Sequence, residues 1–384
     1  MKKIKDIYKR LFVGIFMLIV SQLAYSQASD SIEVSLLTCA PGTKVYALYG
    51  HTAIRYHDLR TGEDLAFNYG VFNFNQPFFS LRFLFGLTDY ELGVCPFRYF
   101  AEEYRQRGSQ VTEQVINMTT QEKAALYHAL AVNYKDENKV YRYNCLYDNC
   151  TTRARDMIER SIQGKIKYVS GEQEQTYREM LHQYTSKYPW AKFGVDLCLG
   201  FGADRHISSR EQQFLPDYMM IDAEKAQIMS DGIFRPLVKE SRNAVVPGVQ
   251  IVEQPFPLSP IECAFILFII AVVLMVVELR RKRVFRIWDT ILMTLMGLSG
   301  IFILALMFSQ HPTTSTNLQI LLLNPLPLFF IVRLWRKKQD RLYWKISLAL
   351  IILFFIGGAL QDYAEGMTLV AATLLTRCIT HFKL

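Results

Sequence analysis

The chain has 384 residues, 51% of them hydrophobic, and a net charge of +8. That length allows two or three domains. The basic excess does not mark a nucleic-acid binder. Much of it flanks apolar segments, at Arg280, Arg281, Lys282, Arg283 and Arg286, then at Arg333, Arg336, Lys337, Lys338, Arg341 and Lys345. Such clusters are topology signals, and no basic stripe with interleaved stacking aromatics stands out elsewhere.

Residues 1–26 read as a signal peptide. Lys2, Lys3, Lys5, Lys9 and Arg10 precede a short apolar core from Leu11 to Val20, and Ala24 and Ser26 place small residues where a signal peptidase reads. That core is shorter than the ~20 residues a spanning helix needs. A soluble α+β domain is expected over 27–250. Ile32–Cys39, Thr52–His57, Leu65–Tyr69 and Gln110–Asn117 have the β-branched and aromatic content of strands. Thr119 and Glu122 form a capping box that opens a helix to about Asn133. Asn149 reads as the N-cap of a second helix, with Ala154, Met157, Ile158 and Ile162 on one face. The proline-bearing stretch 240–257 reads as connecting chain, with the linker proper at 251–260.

The remainder, 261–384, is expected to be an all-α membrane domain of about five helices, near 261–279, 287–308, 318–334, 343–360 and 367–381. The third contains Asn324-Pro325-Leu326-Pro327 and should break. The fifth is short and carries Arg377. The basic loops follow the first and third segments, whereas Ser309–Asn317 has no Lys or Arg. The positive-inside rule therefore puts the soluble domain outside the cytoplasm, in agreement with the signal peptide.

The soluble domain holds Cys39, Cys95, Cys145, Cys150 and Cys198. An odd count in an oxidising compartment leaves at least one thiol unpaired within a monomer. Cys150 is the candidate nucleophile. It follows an N-cap, so the helix dipole favours its thiolate, and Arg153 and Arg155 add positive charge in sequence. A structural or disulfide-bonded Cys150 is the alternative. A thiolate nucleophile needs a base, and His51, preceded by Gly50 at a strand start, is the best candidate among the histidines.

Phe72, Phe74, Phe78, Phe79, Phe83 and Phe85 form an aromatic run, either ordinary core or an apolar surface for an acyl chain or bilayer. Phe78 and Phe79 are its candidate substrate contacts, along with Arg153. In the membrane part His311, Asn317 and Asn324 are candidate substrate or head-group contacts. The alternative makes His311 and Asn317 outer-loop residues and Asn324 a cap on a broken helix.

Several separated motifs resemble the Lnb N-terminal periplasmic domain family of Bacteroidota. They are Leu37-Thr38-Cys39-Ala40-Pro41-Gly42, Gly50-His51-Thr52-Ala53-Ile54-Arg55, Asn68-Tyr69-Gly70-Val71-Phe72, Leu87 to Gly93, and Asn149-Cys150-Thr151. The order of His, polar residue and helix-borne Cys is also similar to permuted papain-like enzymes, the lecithin-retinol acyltransferase group and NlpC-type relatives. That resemblance implies a third residue on the next strand that orients His51. Asn68 fits this role, with Asp64 as the alternative.

The family resemblance implies a lipoprotein N-acyltransferase without cofactor or metal. It would move an acyl chain from a phospholipid donor, through a Cys150 thioester, to the N-terminal amine of an apolipoprotein acceptor at the membrane. Two other functions stay open on the sequence: a cysteine hydrolase of the same fold (peptidoglycan amidase, peptidase or phospholipase), and a non-enzymatic membrane assembly protein.

Overall fold

A computed structural model describes residues 31–384 except 73–76, 170–173, 231, 253–255 and 337–340. The expected signal peptide, Phe74, Lys337 and Lys338 lie outside the described residues. The strands begin with β1 (Ile32–Cys39), β2 (His51–Asp58), β3 (Glu63–Val71), β4 (Asp89–Pro96), β5 (Val111–Ile116) and β6 (Val140–Arg142). Then come β7 (Lys165–Lys167), β8 (Gln175–Thr176), β9 (His206–Ile207), β10 (Gln227–Ser230), β11 (Ile233–Pro236) and β12 (Val238–Val245). One antiparallel sheet of seven strands, in the order β12-β5-β1-β2-β3-β4-β6, forms the centre of the soluble domain. Residues 240–245, expected in the connecting chain, are six of the eight residues of β12. β12 is a half-exposed edge strand, so its polar composition looked like linker.

The sheet is covered on both faces because successive residues alternate sides. Leu36, Ile54 and Phe67 face a core shared with Leu126, Ala154 and Ile158. Leu37, Ala53 and Ala66 face Phe97, Phe100 and Tyr104. The soluble-domain helices are α1 (Phe79–Leu84), α2 (Phe97–Gln106), α3 (Thr120–Asn133), α4 (Cys150–Ser161), α5 (Tyr177–Thr185), α6 (Pro189–Cys198), α7 (Ser209–Gln212) and α8 (Pro216–Lys225). α3 starts with the capping box of Thr119 and Glu122. This cap contributes about 1 kcal/mol relative to Ala.

The C-terminal region holds α9 (Pro260–Arg281), α10 (Arg286–Met307), α11 (Leu326–Trp335), α12 (Arg341–Gly357) and α13 (Met367–Lys383). Among the described residues three segments are long and apolar enough to cross a bilayer: Pro260–Arg281, Arg286–Met307 and Leu318–Trp335. The third is broken as its prolines require, with a 3-10 turn at Leu318–Leu321 before α11.

The two loops at one end of this helical region meet the soluble domain, and the reason lies in α6. A helix leaves its last carbonyls without partners. Here they accept from the loops: Asp196 O from Nε2 of Gln319 at 3.0 Å, and Leu197 O from Nδ2 of Asn317 at 2.8 Å. Just past the helix, Leu199 O accepts from Nε2 of Gln361 at 3.1 Å. Gly200 N donates to Thr313 O at 2.7 Å, and Phe201 N to Thr316 O at 3.0 Å. A Cβ on Gly200 would stand 2.1 Å from Thr316 O, so only glycine permits this approach.

Candidate active site

Asn149 sets the start of α4. Its Oδ1 accepts from the N–H groups of Thr151 at 2.9 Å and Thr152 at 3.0 Å. Its Nδ2 donates to the carbonyls of Cys145 and Phe214, both at 2.9 Å. The carboxamide is fully used, so the helix tip is rigid, and Cys150 is its first residue. Thr151 Oγ1 meets Thr52 Oγ1 at 3.0 Å, which fixes the tip against β2.

β2 and β3 pair from Asp58 opposite Glu63 up to Ile54 opposite Phe67. Beyond that point the strands part. His51, at the start of β2, spans the gap to Asn68 of β3, with Nε2 2.5 Å from Oδ1. The Cys150 thiol is its neighbour, near enough for the two groups to shift each other's ionisation. With Nε2 used by Asn68, Nδ1 is the nitrogen left for sulfur. Gly70, at φ +92°, completes the wall. A Cβ there would lie 4.0 Å from both Cys150 Cβ and His51 Cε1, and 3.9 Å from Cε2 of Tyr143.

All seven cysteines are free, and Cys150 is buried. Burial opposes ionisation of its thiol. The charge and hydrogen bond of His51, then the Thr52 N–H and the Thr151 hydroxyl, outweigh it and bring the pKa from 9.0 to about 7. For His51 burial works against the charged form, but Cys150 and Asn68 raise its pKa above 6.5. Burial instead pushes the thiols of Cys39, Cys95 and Cys198 up. The pair is therefore poised to exchange a proton near neutral pH, which a thiol nucleophile requires. Among the described residues no group of three or more His, Cys, Asp or Glu is placed to hold a metal ion.

The structure thus brings Cys150, His51 and Asn68 together. Asp64 does not join them: it pairs with Arg55 at 2.7 Å. Arg153 and Arg155 need correction as charges beside the thiol. The Arg153 guanidinium is bidentate to Asp148, at 2.6 and 2.7 Å, and lies 3.5 Å over the Tyr141 ring. Arg155 pairs with Asp156. Both charges are spent within the fold, Arg153 on Asp148 just before the N-cap and Arg155 on Asp156.

Asn317 and Asn324 have partners within the fold. Asn317 is buried and caps α6, as described above. Asn324 donates to Leu321 O and accepts from Leu326 N, bridging the break before α11. His311 Nε2 lies 2.6 Å from Phe83 O. Phe78 is 78% exposed, and Phe79 stacks on Phe72 and Phe83. Thr52, Thr151 and Gly70 were not singled out from sequence. All three stand within the quoted motifs, but nothing local shows that two threonines 99 positions apart meet.

A helix-tip thiol beside an imidazole, on a domain mounted on apolar helices, defines a membrane protein with a thiol–imidazole site. The family model described as the Lnb N-terminal periplasmic domain matches residues 22–183. The one described as the Lnb transmembrane domain matches 251–384. The chain belongs to the Lnb family, and is a multi-pass inner-membrane protein whose N-terminal domain is periplasmic. Membership relates it to lipoprotein biogenesis. No curated protein and no solved structure matches the chain.

Proposed function

We propose that the protein is a lipoprotein N-acyltransferase with Cys150 as nucleophile, His51 as base and Asn68 as the residue that orients it. The observation that carries this reading is the Cys150 thiol, brought to about 7 beside His51 at a helix tip, in a chain anchored in the bilayer. The thiolate attacks an ester carbonyl of a phospholipid, forming a C–S bond. His51 then gives its proton to the glycerol oxygen as the C–O bond breaks, and a lysophospholipid leaves. The neutral N-terminal amine of a diacylglyceryl-cysteine lipoprotein attacks the thioester. His51 accepts the amine proton, the C–N bond forms, the C–S bond breaks, and the thiolate–imidazolium pair is restored. The Cys150 N–H takes no part in the Asn149 cap, and at a helix start it is a natural donor to the tetrahedral oxyanion. No step calls for a metal or an organic cofactor.

The fold reading is a permuted papain-like domain, supported by a Cys that opens a helix against an antiparallel sheet and a His on one of its strands. All five C-terminal helices are read as crossing the membrane. α12 and α13 have 17 residues each, at the short end of the ~17–25 that span a bilayer. The odd number agrees with both contact loops, 308–317 and 358–366, lying on the side of the periplasmic domain.

The test is mass spectrometry of lipoprotein N-termini from cells carrying wild type or Cys150→Ala as the sole copy. The expected result is loss of one acyl chain with the diacylglyceryl group retained. Free fatty acid without an N-acylated product in the wild type would instead identify a hydrolase. Full N-acylation with Cys150→Ser would leave the cysteine structural and the protein an assembly factor.

A further inference from the structure

We propose that the segment 77–88, continued by Phe72, Tyr90 and Tyr143, is a ramp that seats one phospholipid of the outer leaflet. Its phosphate would sit at Arg82 and Arg142, and an acyl chain would run along the rings to Cys150. This rests on the acyl-transfer reading and names the donor's binding site within it.

The first observation is the apolar surface. None of the side chains of α1 is buried. Phe78 is 78% exposed, Leu81 55% and Phe83 49%. A short helix with its large apolar side chains facing out is unfavourable in water and marks a surface that meets something apolar.

What it meets follows from where it is tied. Phe85 O accepts from Gln310 N at 3.0 Å, and the Phe83 and His311 rings stand 5.4 Å apart. Gly86 lies so close to the 310–311 backbone that a Cβ would come within 2.9 Å of His311 N. That backbone follows the periplasmic end of α10, beside Phe308, itself 78% exposed. The segment is therefore held at the level where a spanning helix leaves the bilayer.

The second observation is a continuous series of rings. Phe83 packs on Phe79 with centroids at 6.2 Å, Phe79 on Phe72 at 6.1 Å, Phe72 on Tyr90 at 4.8 Å, and Tyr90 on Tyr143 at 4.3 Å. Tyr143 borders the same space above Gly70 that Cys150 and His51 border. A side chain at residue 70 would close the top of this path.

The third observation is charge. Arg142 and Arg82 share one carboxylate, Asp89, at 2.7 and 3.5 Å. Arg142 also donates to Oε1 of Gln310 at 2.9 Å. Arg82 Nε is buried without a partner. Two guanidinium groups against one acid leave a net positive charge at bilayer level, next to the rings. The Arg82 and Arg142 side chains are 42% and 43% exposed, and an open arginine fork is suited to a phosphate oxygen. Phosphate recognition beside an acyl surface defines a glycerophospholipid rather than a free fatty acid or a peptide.

The experiment uses the full chain in phosphatidylethanolamine and phosphatidylglycerol vesicles. A photoreactive benzoylphenylalanine replacing Phe79 should yield a phospholipid adduct on illumination, and Arg82→Gln in the same protein should lower that yield at least fivefold. In parallel, Cys150 acylation is followed by intact mass with two donors, vesicle phospholipid and a soluble butyryl thioester. Phe78→Asp combined with Leu81→Asp should reduce acylation from vesicle phospholipid at least tenfold more than from the soluble donor. Absence of a lipid adduct, or equal loss with both donors, overturns the ramp. A lipid adduct without any acylation of Cys150 in the wild type overturns the acyl-transfer reading instead.

Discussion

The hydroxyls of Thr52 and Thr151 meet at 3.0 Å, each one residue beyond a member of the candidate pair, His51 and Cys150. Both threonines are fully buried, so this bond locks the strand that carries the imidazole to the helix that carries the thiol. Thr151→Val leaves the Thr52 hydroxyl buried without its partner, at a cost of ~1–3 kcal/mol. Thr52→Val leaves the Thr151 hydroxyl with only the Cys150 sulfur, 3.8 Å away. The double variant removes both hydroxyls and should cost less than the sum of the singles, by roughly 1 kcal/mol or more. Denaturant unfolding of the three variants checks this; strict additivity would mean that the contact carries no weight.

Thiol ionisation gives the second expected outcome. With the Cys150 pKa at about 7, its alkylation by iodoacetamide should rise through neutral pH, below the range of an ordinary thiol. The sign follows from the causes: burial favours the neutral thiol, and the His51 charge is the main opposing influence. His51→Ala removes that influence and leaves burial, so the alkylation midpoint should move up past the ordinary thiol value of 9.0. The rate against pH, with the modified residue confirmed by peptide mass, decides it. A midpoint unmoved by His51→Ala would separate the two residues functionally.

On the proposed mechanism Asn68 acts through His51, so its variants should change turnover more than substrate affinity. Asn68→Ala removes the acceptor at Nε2, a hydrogen bond worth ~1.5–3 kcal/mol when the donor is charged. The expected loss is about tenfold to a hundredfold in the acylation rate. Asn68→Asp keeps the acceptor and adds a negative charge, which stabilises the imidazolium and should shift the pH profile upward while recovering much of the rate. Identical losses with both substitutions and no shift in profile would reduce Asn68 to a packing role.

The polar mount between the domains predicts a separation of effects. Gln319 is fully buried and donates to Asp196 O, while its Oε1 accepts from Ala364 N at 3.1 Å. Gln319→Leu leaves both backbone groups without those partners, for a loss of roughly 2–5 kcal/mol. The thiol pair lies in the soluble domain and should keep its alkylation profile. Transfer from bilayer donors should fall, because the site is held less firmly against the membrane once only the Asn317, Gln361, Gly200 and Phe201 contacts remain. Thermal unfolding in detergent, compared with alkylation at neutral pH, distinguishes this from general misfolding.

Much of the soluble fold is legible in the sequence because its signals are local. β1 spans the residues expected of it, Ile32–Cys39, and α3 and α4 begin at the caps that Thr119 and Asn149 announce. His51 and Cys150 are legible for the same reason, each standing at a recognisable start of an element. β12 was not, since an edge strand exposed along much of its length has the composition of a loop. Arg153 could not be placed either: its sequence position lies beside the thiol, but helical geometry carries its side chain to Asp148 and Tyr141. Asn317 reads as a lone polar residue near the bilayer. Only the docking of α6, more than a hundred positions earlier in the chain, shows that it serves a helix end.

Arg377, which made the last apolar segment doubtful, has its explanation at the cytoplasmic end of the membrane domain. Its Nε donates to Asp289 at 2.6 Å, and its fork also holds Glu278; all three are fully buried. His381 Nε2 meets the second oxygen of Asp289 at 2.8 Å. The cluster joins the end of α9, the start of α10 and the C-terminal part of α13, so one guanidinium satisfies two acids from two other helices. Removing it is worse than never having it, because the acids stay behind in a medium that cannot solvate them. Arg377→Met should therefore destabilise the membrane domain by roughly 3–5 kcal/mol. Arg377→Lys, a point charge without the fork, should recover only part of that. Adding Glu278→Gln and Asp289→Asn to Arg377→Met removes the stranded charges and should restore most of the stability. Thermal unfolding in detergent reads all three, and a triple variant no better than Arg377→Met would refute the electrostatic account.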